Sequence, residues 1–130
     1  MLNLESIKVD LTAELNGQYI EIPDWEGVSL GVRSLEIPAY KIAMDLVRER
    51  FKRVYKGKPV PPDVIEAEFG KLLAKHILFG WKGISPEYSE DYAAEFLSDS
   101  SGRELAKKIV WAASSVAEVD AEFTADAVKN

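Results

Sequence analysis

Tyr19-Ile20-Glu21-Ile22-Pro23-Asp24-Trp25-Glu26-Gly27-Val28-Ser29-Leu30-Gly31-Val32-Arg33 is the stretch on which the fold turns. Tyr19 to Ile22 and Val28 to Arg33 alternate apolar and polar side chains, the period of a half-buried strand. Pro, Asp and Gly cluster between them, so Pro23 to Gly27 reads as a hairpin loop of five residues. Val28, Leu30 and Val32 then share one face. A lone hairpin is only marginally stable, so that face must be covered by the rest of the chain. Upstream, Ile7, Val9 and Leu11 alternate with Lys8, Asp10 and Thr12, which extends the expected β part over about 7–34.

Downstream the period changes. Ile42-Ala43, Leu46-Val47, Phe51 and Val54-Tyr55 recur at helical spacing, with Gly57 and Pro59 to stop them. Pro61-Pro62 opens a second helix whose stripe is Ile65, Phe69, Leu72-Leu73 and His76-Ile77, ending at Gly80. A loop from Trp81 to Pro86 leads to a shorter third helix. Ser89 is its expected N-cap, Glu90 and Asp91 its first turn, and Tyr92, Ala93, Phe96 and Leu97 its inward face. Ser101 and Glu104 have the spacing of a capping box for a fourth helix, with Leu105, Ile109, Ala112, Val116 and Val119 on one stripe. The expectation is α+β: an N-terminal hairpin or small antiparallel sheet packed on about four helices over 38–119. Residues 120–130 are expected to form a polar, frayed tail. The chain of 130 residues fits one domain.

Composition excludes several function classes. There is no cysteine and one histidine, so disulfides, thiol redox and a zinc site of several nitrogen or sulfur ligands are ruled out. His76 falls on an apolar stripe, where a structural role is expected, and no Gly-x-Ser-x-Gly turn presents a serine to it. Glu87, Glu90, Asp91 and Glu95 have carboxylates enough for a divalent cation, but they sit where short helices place solvated acids. No Gly-rich phosphate loop is present. No apolar run reaches the ~20 residues of a membrane span, and the first residues lack a secretory pattern, which leaves the cytoplasm as the expected location. The reading is a protein without catalysis and without cofactor or metal.

Charge is uneven. Between Lys41 and Lys58 seven cations face Asp45 and Glu49, a net +5; between Ile84 and Glu104 six anions face Arg103, a net −5. The basic helix at 41–58 suggests a nucleic-acid-binding regulator as the rival reading, against a whole-chain charge of −6. Its Arg48 and Lys52 share a face with Tyr55 beside Phe51, so their stems flank a seam. Tryptophan is a favoured interface anchor. Trp25 sits at the hairpin tip and Trp111 beside the main stripe of the last helix. Trp111, Arg48, Lys52 and Trp25 are therefore the candidate partner-binding residues, and a homo-oligomer joined through opposite poles is a further possibility.

The succession of motifs is familiar. Glu21-Ile22-Pro23-Asp24-Trp25-Glu26-Gly27-Val28, Val32-Arg33-Ser34-Leu35 and Pro38-Ala39-Tyr40-Lys41-Ile42-Ala43 are followed by His76-Ile77-Leu78-Phe79-Gly80-Trp81-Lys82-Gly83-Ile84 and Tyr88-Ser89-Glu90-Asp91-Tyr92-Ala93. From about Val9 to Val116 this order resembles the tail assembly chaperones of long-tailed, siphovirus-type bacteriophages and prophages. The resemblance implies a helper in the bacterial cytoplasm that is absent from the mature virion. Such a helper binds the tape measure protein, keeps its apolar helices in solution and helps recruit tail tube protein. It implies no catalytic residue. Many members are also made in a longer, frameshifted form; the chain would correspond to the short form, with Lys129-Asn130 matching a slippery A-AAA-AAC message.

Overall fold

The computed structural model describes the backbone of residues 1–129 and the side chains of residues 1–116. The hairpin forms as its sequence dictates. β1 (Gln18–Glu21) pairs antiparallel with β2 (Ser29–Val32), Glu21 opposite Ser29 and Gln18 opposite Val32. At the tip, Ile22 N–H donates to Val28 O at 3.0 Å, and Val28 N–H returns a bond to Trp25 O at 3.0 Å. Gly27 adopts φ 75°, where a side chain would be strained.

A third strand, β3 (Leu78–Lys82), pairs with the other edge of β2, giving the antiparallel order β1-β2-β3. This segment was expected as the end of a helix and a loop. The helical spacing that suggested so holds only as far as Ile77: α3 (Pro62–Leu72) widens into a π-helical turn, Leu73–Ile77, and Leu78 then turns extended. Strand pairing satisfies the free edge of β2. Phe79 is an extra residue opposite the Gly31/Val32 step, so Leu78 pairs with Val32 and Trp81 with Leu30. Both bury into the core, and Trp81 is only 7% exposed. On the outer face of the sheet, Phe79 and Tyr19 meet edge-to-face at 5.4 Å over the backbone of Gly31.

The expected strand at 7–12 does not form. Asn3 accepts from Glu5 N–H at 3.0 Å to start a 3-10 turn, Leu4–Ile7. Asp10 accepts from Ala13 N–H at 3.1 Å and caps α1 (Leu11–Asn16). Local side-chain acceptors win here because the alternation buries nothing: Ile7, Val9 and Leu11 are all exposed. α1 is held by its buried Glu14, which accepts from Ser34 Oγ at 2.8 Å.

Two amphipathic helices bury only one of the two adjacent apolar rows expected to face inward. α2 (Pro38–Tyr55) buries Tyr40 and Val47 and half-buries Phe51, while Ile42 and Leu46 point outward. α4 (Glu90–Leu97) buries Ala93 and Leu97 and exposes Tyr92 and Phe96. Ser89 caps α4 as expected, accepting from Tyr92 N–H at 3.1 Å. Ser89→Ala should therefore cost about 1 kcal/mol, read as a lowered midpoint of thermal unfolding. Before α5 (Arg103–Lys129), Asp99 accepts from Ser101 N–H at 2.8 Å and caps a 3-10 turn, Ser100–Gly102. Glu104 pairs with Lys107 at 3.4 Å, in place of the capping box.

The cover that the sheet requires is α5, which lies across β1 and β2. Ile109, Ala112 and Val116 on α5 close a core shared with Leu30, Val32, Ile77, Leu78 and Leu97. Val119 and the tail expected at 120–130 fall on positions whose side chains lie outside the described residues. The architecture is α+β, with a three-stranded sheet and five α-helices among the described residues.

Candidate functional site

Between α3 and α5 lies an open groove of about 440 Å³, lined almost wholly by apolar surface. Ile65, Phe69 and Leu73 follow one another at four-residue steps along α3 and into the π turn, and so share one face. Ala106 and Val110 do the same on α5, and Leu97 at the end of α4 contributes to the floor. Gly70 makes the floor possible. A Cβ there would stand 1.8 Å from Leu97 O, so only glycine lets α3 and α4 approach this closely. The result is a channel between two helices with no helix in it.

The rims are charged. Arg103 Nε stands 3.5 Å from Glu66 Oε2 across the groove, a loose ion pair that leaves this buried oxygen without a hydrogen-bond partner. Asp99 and Lys107 complete the rims. Hydrogen bonds from Ser101 hold the Asp99 carboxyl below its usual range, so it is anionic at neutral pH. An apolar floor between charged rims suits an amphipathic helix, whose apolar stripe enters the groove while its polar flanks meet the rims.

Lys107 also borders a second, shallower cleft with Ile22, Pro23, Asp24, Lys108 and Trp111, so the surface continues round α5 toward the hairpin tip. Lys108 Nζ bonds Asp24 Oδ2 at 2.5 Å and lies 5.5 Å from the ring centroid of Trp25. Trp25 is half-buried against the core, and Trp111 is 46% exposed. Trp25 and Trp111 thus lie in one region, Trp25 beside Lys108 and Trp111 in the cleft that Lys108 also lines.

Arg48 and Lys52 are elsewhere, exposed on α2, whose contacts run to α3 and the π turn. They pair with Asp45 at 3.4 Å and Glu49 at 3.2 Å, and Arg50 pairs with Glu68 at 2.6 Å. Much of the positive charge counted in this helix is therefore already matched. Ile65, Phe69 and Val110 were not singled out as functional from sequence. The first two read as core, and the usable sign was that Val110 and Trp111 fall outside the buried stripe of α5.

His76 is half-buried in the π turn, and burial together with Lys75 holds its imidazole below the usual range, hence neutral at pH 7. Glu87, Glu90, Asp91 and Glu95 are exposed. Among the described residues, no three His, Asp or Glu are grouped so as to hold a metal ion. No helix among them is long and apolar enough to cross a membrane.

Compared with known proteins, residues 35–130 match a family model described as YdaY prophage protein. No curated protein and no solved structure matches the chain.

Proposed function

The chain belongs to the YdaY prophage protein family, and from that premise we propose that it is a tail assembly chaperone whose α3–α5 groove receives an apolar helical stripe of the tape measure protein. The groove is the observation that carries this reading: an exposed apolar channel between two helices, bordered by charge, on a phage-related protein. Long apolar helices aggregate unless their stripes are covered. A small acidic partner both covers them and adds repulsive charge, here −6 per copy. The role takes place in the host cytoplasm, outside the finished virion, and needs neither catalysis nor cofactor. Recruitment of tail tube protein belongs to the same reading. The rival, a regulator binding nucleic acid through 41–58, is weakened by the ion pairs of Arg48, Arg50 and Lys52. A salt-sensitive gel shift would revive it.

The test is co-expression with the tape measure protein of the same phage. Wild-type chain should keep that protein in the soluble fraction and elute with it as a complex. Val110→Asp, at a position 40% exposed, should melt like wild type yet weaken the complex by more than about tenfold, because docking would bury an unpaired carboxylate. A tape measure protein that precipitates equally with and without the chaperone sinks the functional reading. Equal binding by Val110→Asp removes the groove from it.

A further inference from the structure

α2 and α4 each carry an outward face that nothing in the fold covers. On α2, Ile42, Leu46 and Arg53 stand at steps of four and seven residues, opposite the buried Tyr40 and Val47 and the half-buried Phe51. Ile42 is 60% and Leu46 66% exposed. Glu49, between them on the stripe, is held by Lys52. Arg53 on this face, and Lys56 and Lys58 in the turn just beyond the helix, are exposed and have no ion-pair partner among the described residues.

On α4 the uncovered face is aromatic. Tyr92 and Phe96 are 41% and 40% exposed and stack at 6.2 Å with 20° between their planes. Trp81 fixes Tyr92 from below, edge-to-face at 6.4 Å. Asp91 and Glu95 flank the stacked rings and Glu87 and Glu90 precede them, all exposed and unpaired among the described residues.

The two faces complement each other in both respects. One is aliphatic with unmatched cations, the other aromatic with unmatched carboxylates. They do not meet within one molecule, where α2 and α4 each pack on α3 and the π turn. We propose that α2 of one copy docks on the Tyr92–Phe96 face of α4 in a second copy. Ile42 and Leu46 shed water against the rings, and Arg53, Lys56 and Lys58 take up the carboxylates of Glu87, Glu90, Asp91 and Glu95. An arginine beside stacked rings gains a further attraction to their faces. Burying both apolar faces removes surface that a lone molecule leaves in water. The contact is head-to-tail, so each added copy presents a fresh α2 face and a fresh α4 face, and the assembly grows unless its rotation closes a ring. The inference does not depend on the groove or on the tape measure protein.

Sedimentation velocity of the full chain over a concentration series tests it. Mean mass should rise with concentration at low salt and fall back as salt screens the charges. Arg53→Glu with Lys56→Glu makes the α2 face acidic; Asp91→Lys with Glu95→Lys makes the α4 face basic. All four positions are exposed, so both variants should melt like wild type. Each alone should associate more than about tenfold less than wild type, since like charges then oppose across the contact. Mixed in equal amounts they should associate again, because each reversed face meets its complement on the other variant. A wild type that stays monomeric at every concentration would assign these faces to some other partner and overturn the proposal. So would variants that associate normally, or a mixture that shows no recovery.

Discussion

Gly70→Ala should lose about 3 kcal/mol of stability. The added Cβ would lie 1.8 Å from Leu97 O and 2.9 Å from its carbonyl carbon. Both are backbone atoms, so no side chain can swing aside. α3 and α4 must separate, and with them Leu73 and Leu97, each at most 3% exposed. Alanine's better helix propensity returns at most about 1 kcal/mol. Gly57 supplies the control. It has φ 82° with nothing near its Cβ position, so Gly57→Ala carries only the strain of a left-handed residue, about 1 kcal/mol. Chemical denaturation of the two variants should separate them clearly. Equal stabilities would mean that the α3–α4 contact yields more easily than its geometry suggests.

The hairpin was legible because one short stretch held both the alternation and the turn residues. Ser89 was legible for the same local reason. β3 was not, since Leu78-Phe79-Gly80-Trp81 is a short apolar run that periodicity alone cannot assign, and what decides it is the free edge of β2 some fifty residues earlier. The false strand at 7–12 shows the converse. Alternation predicts burial only where a neighbour exists to bury against, and Asp10 instead caps a helix. On α2 and α4 two apolar rows lay side by side, and only the packed structure shows which row faces in. The groove depends on pairs distant in sequence, such as Glu66 with Arg103, and on the close approach at Gly70. The raw charge count also misled in part, because Lys41 and Arg50 pair with Glu36 and Glu68, acids outside the counted segment.

Ile109→Ala and Trp111→Ala, two residues apart on α5, should fail in opposite ways. Ile109 is fully buried under the sheet, and its truncation leaves a cavity that β2 and the π turn cannot close without moving. The expected loss is about 3 kcal/mol, within the usual range for aliphatic-to-alanine changes in a core. The surface of the folded fraction is unchanged, so its affinity for a helical partner should be too. Trp111 is 46% exposed beside Lys107, the residue shared by the groove and the hairpin cleft. Its removal should cost about 1 kcal/mol of stability at most, yet take away a large exposed aromatic from the proposed docking surface. Binding of the tape measure protein should weaken by about tenfold or more. Thermal melts and titrations run on the same two variants read both quantities. A Trp111→Ala chain that unfolds while its folded fraction binds normally would make Trp111 a packing residue and confine the docking surface to the α3–α5 groove.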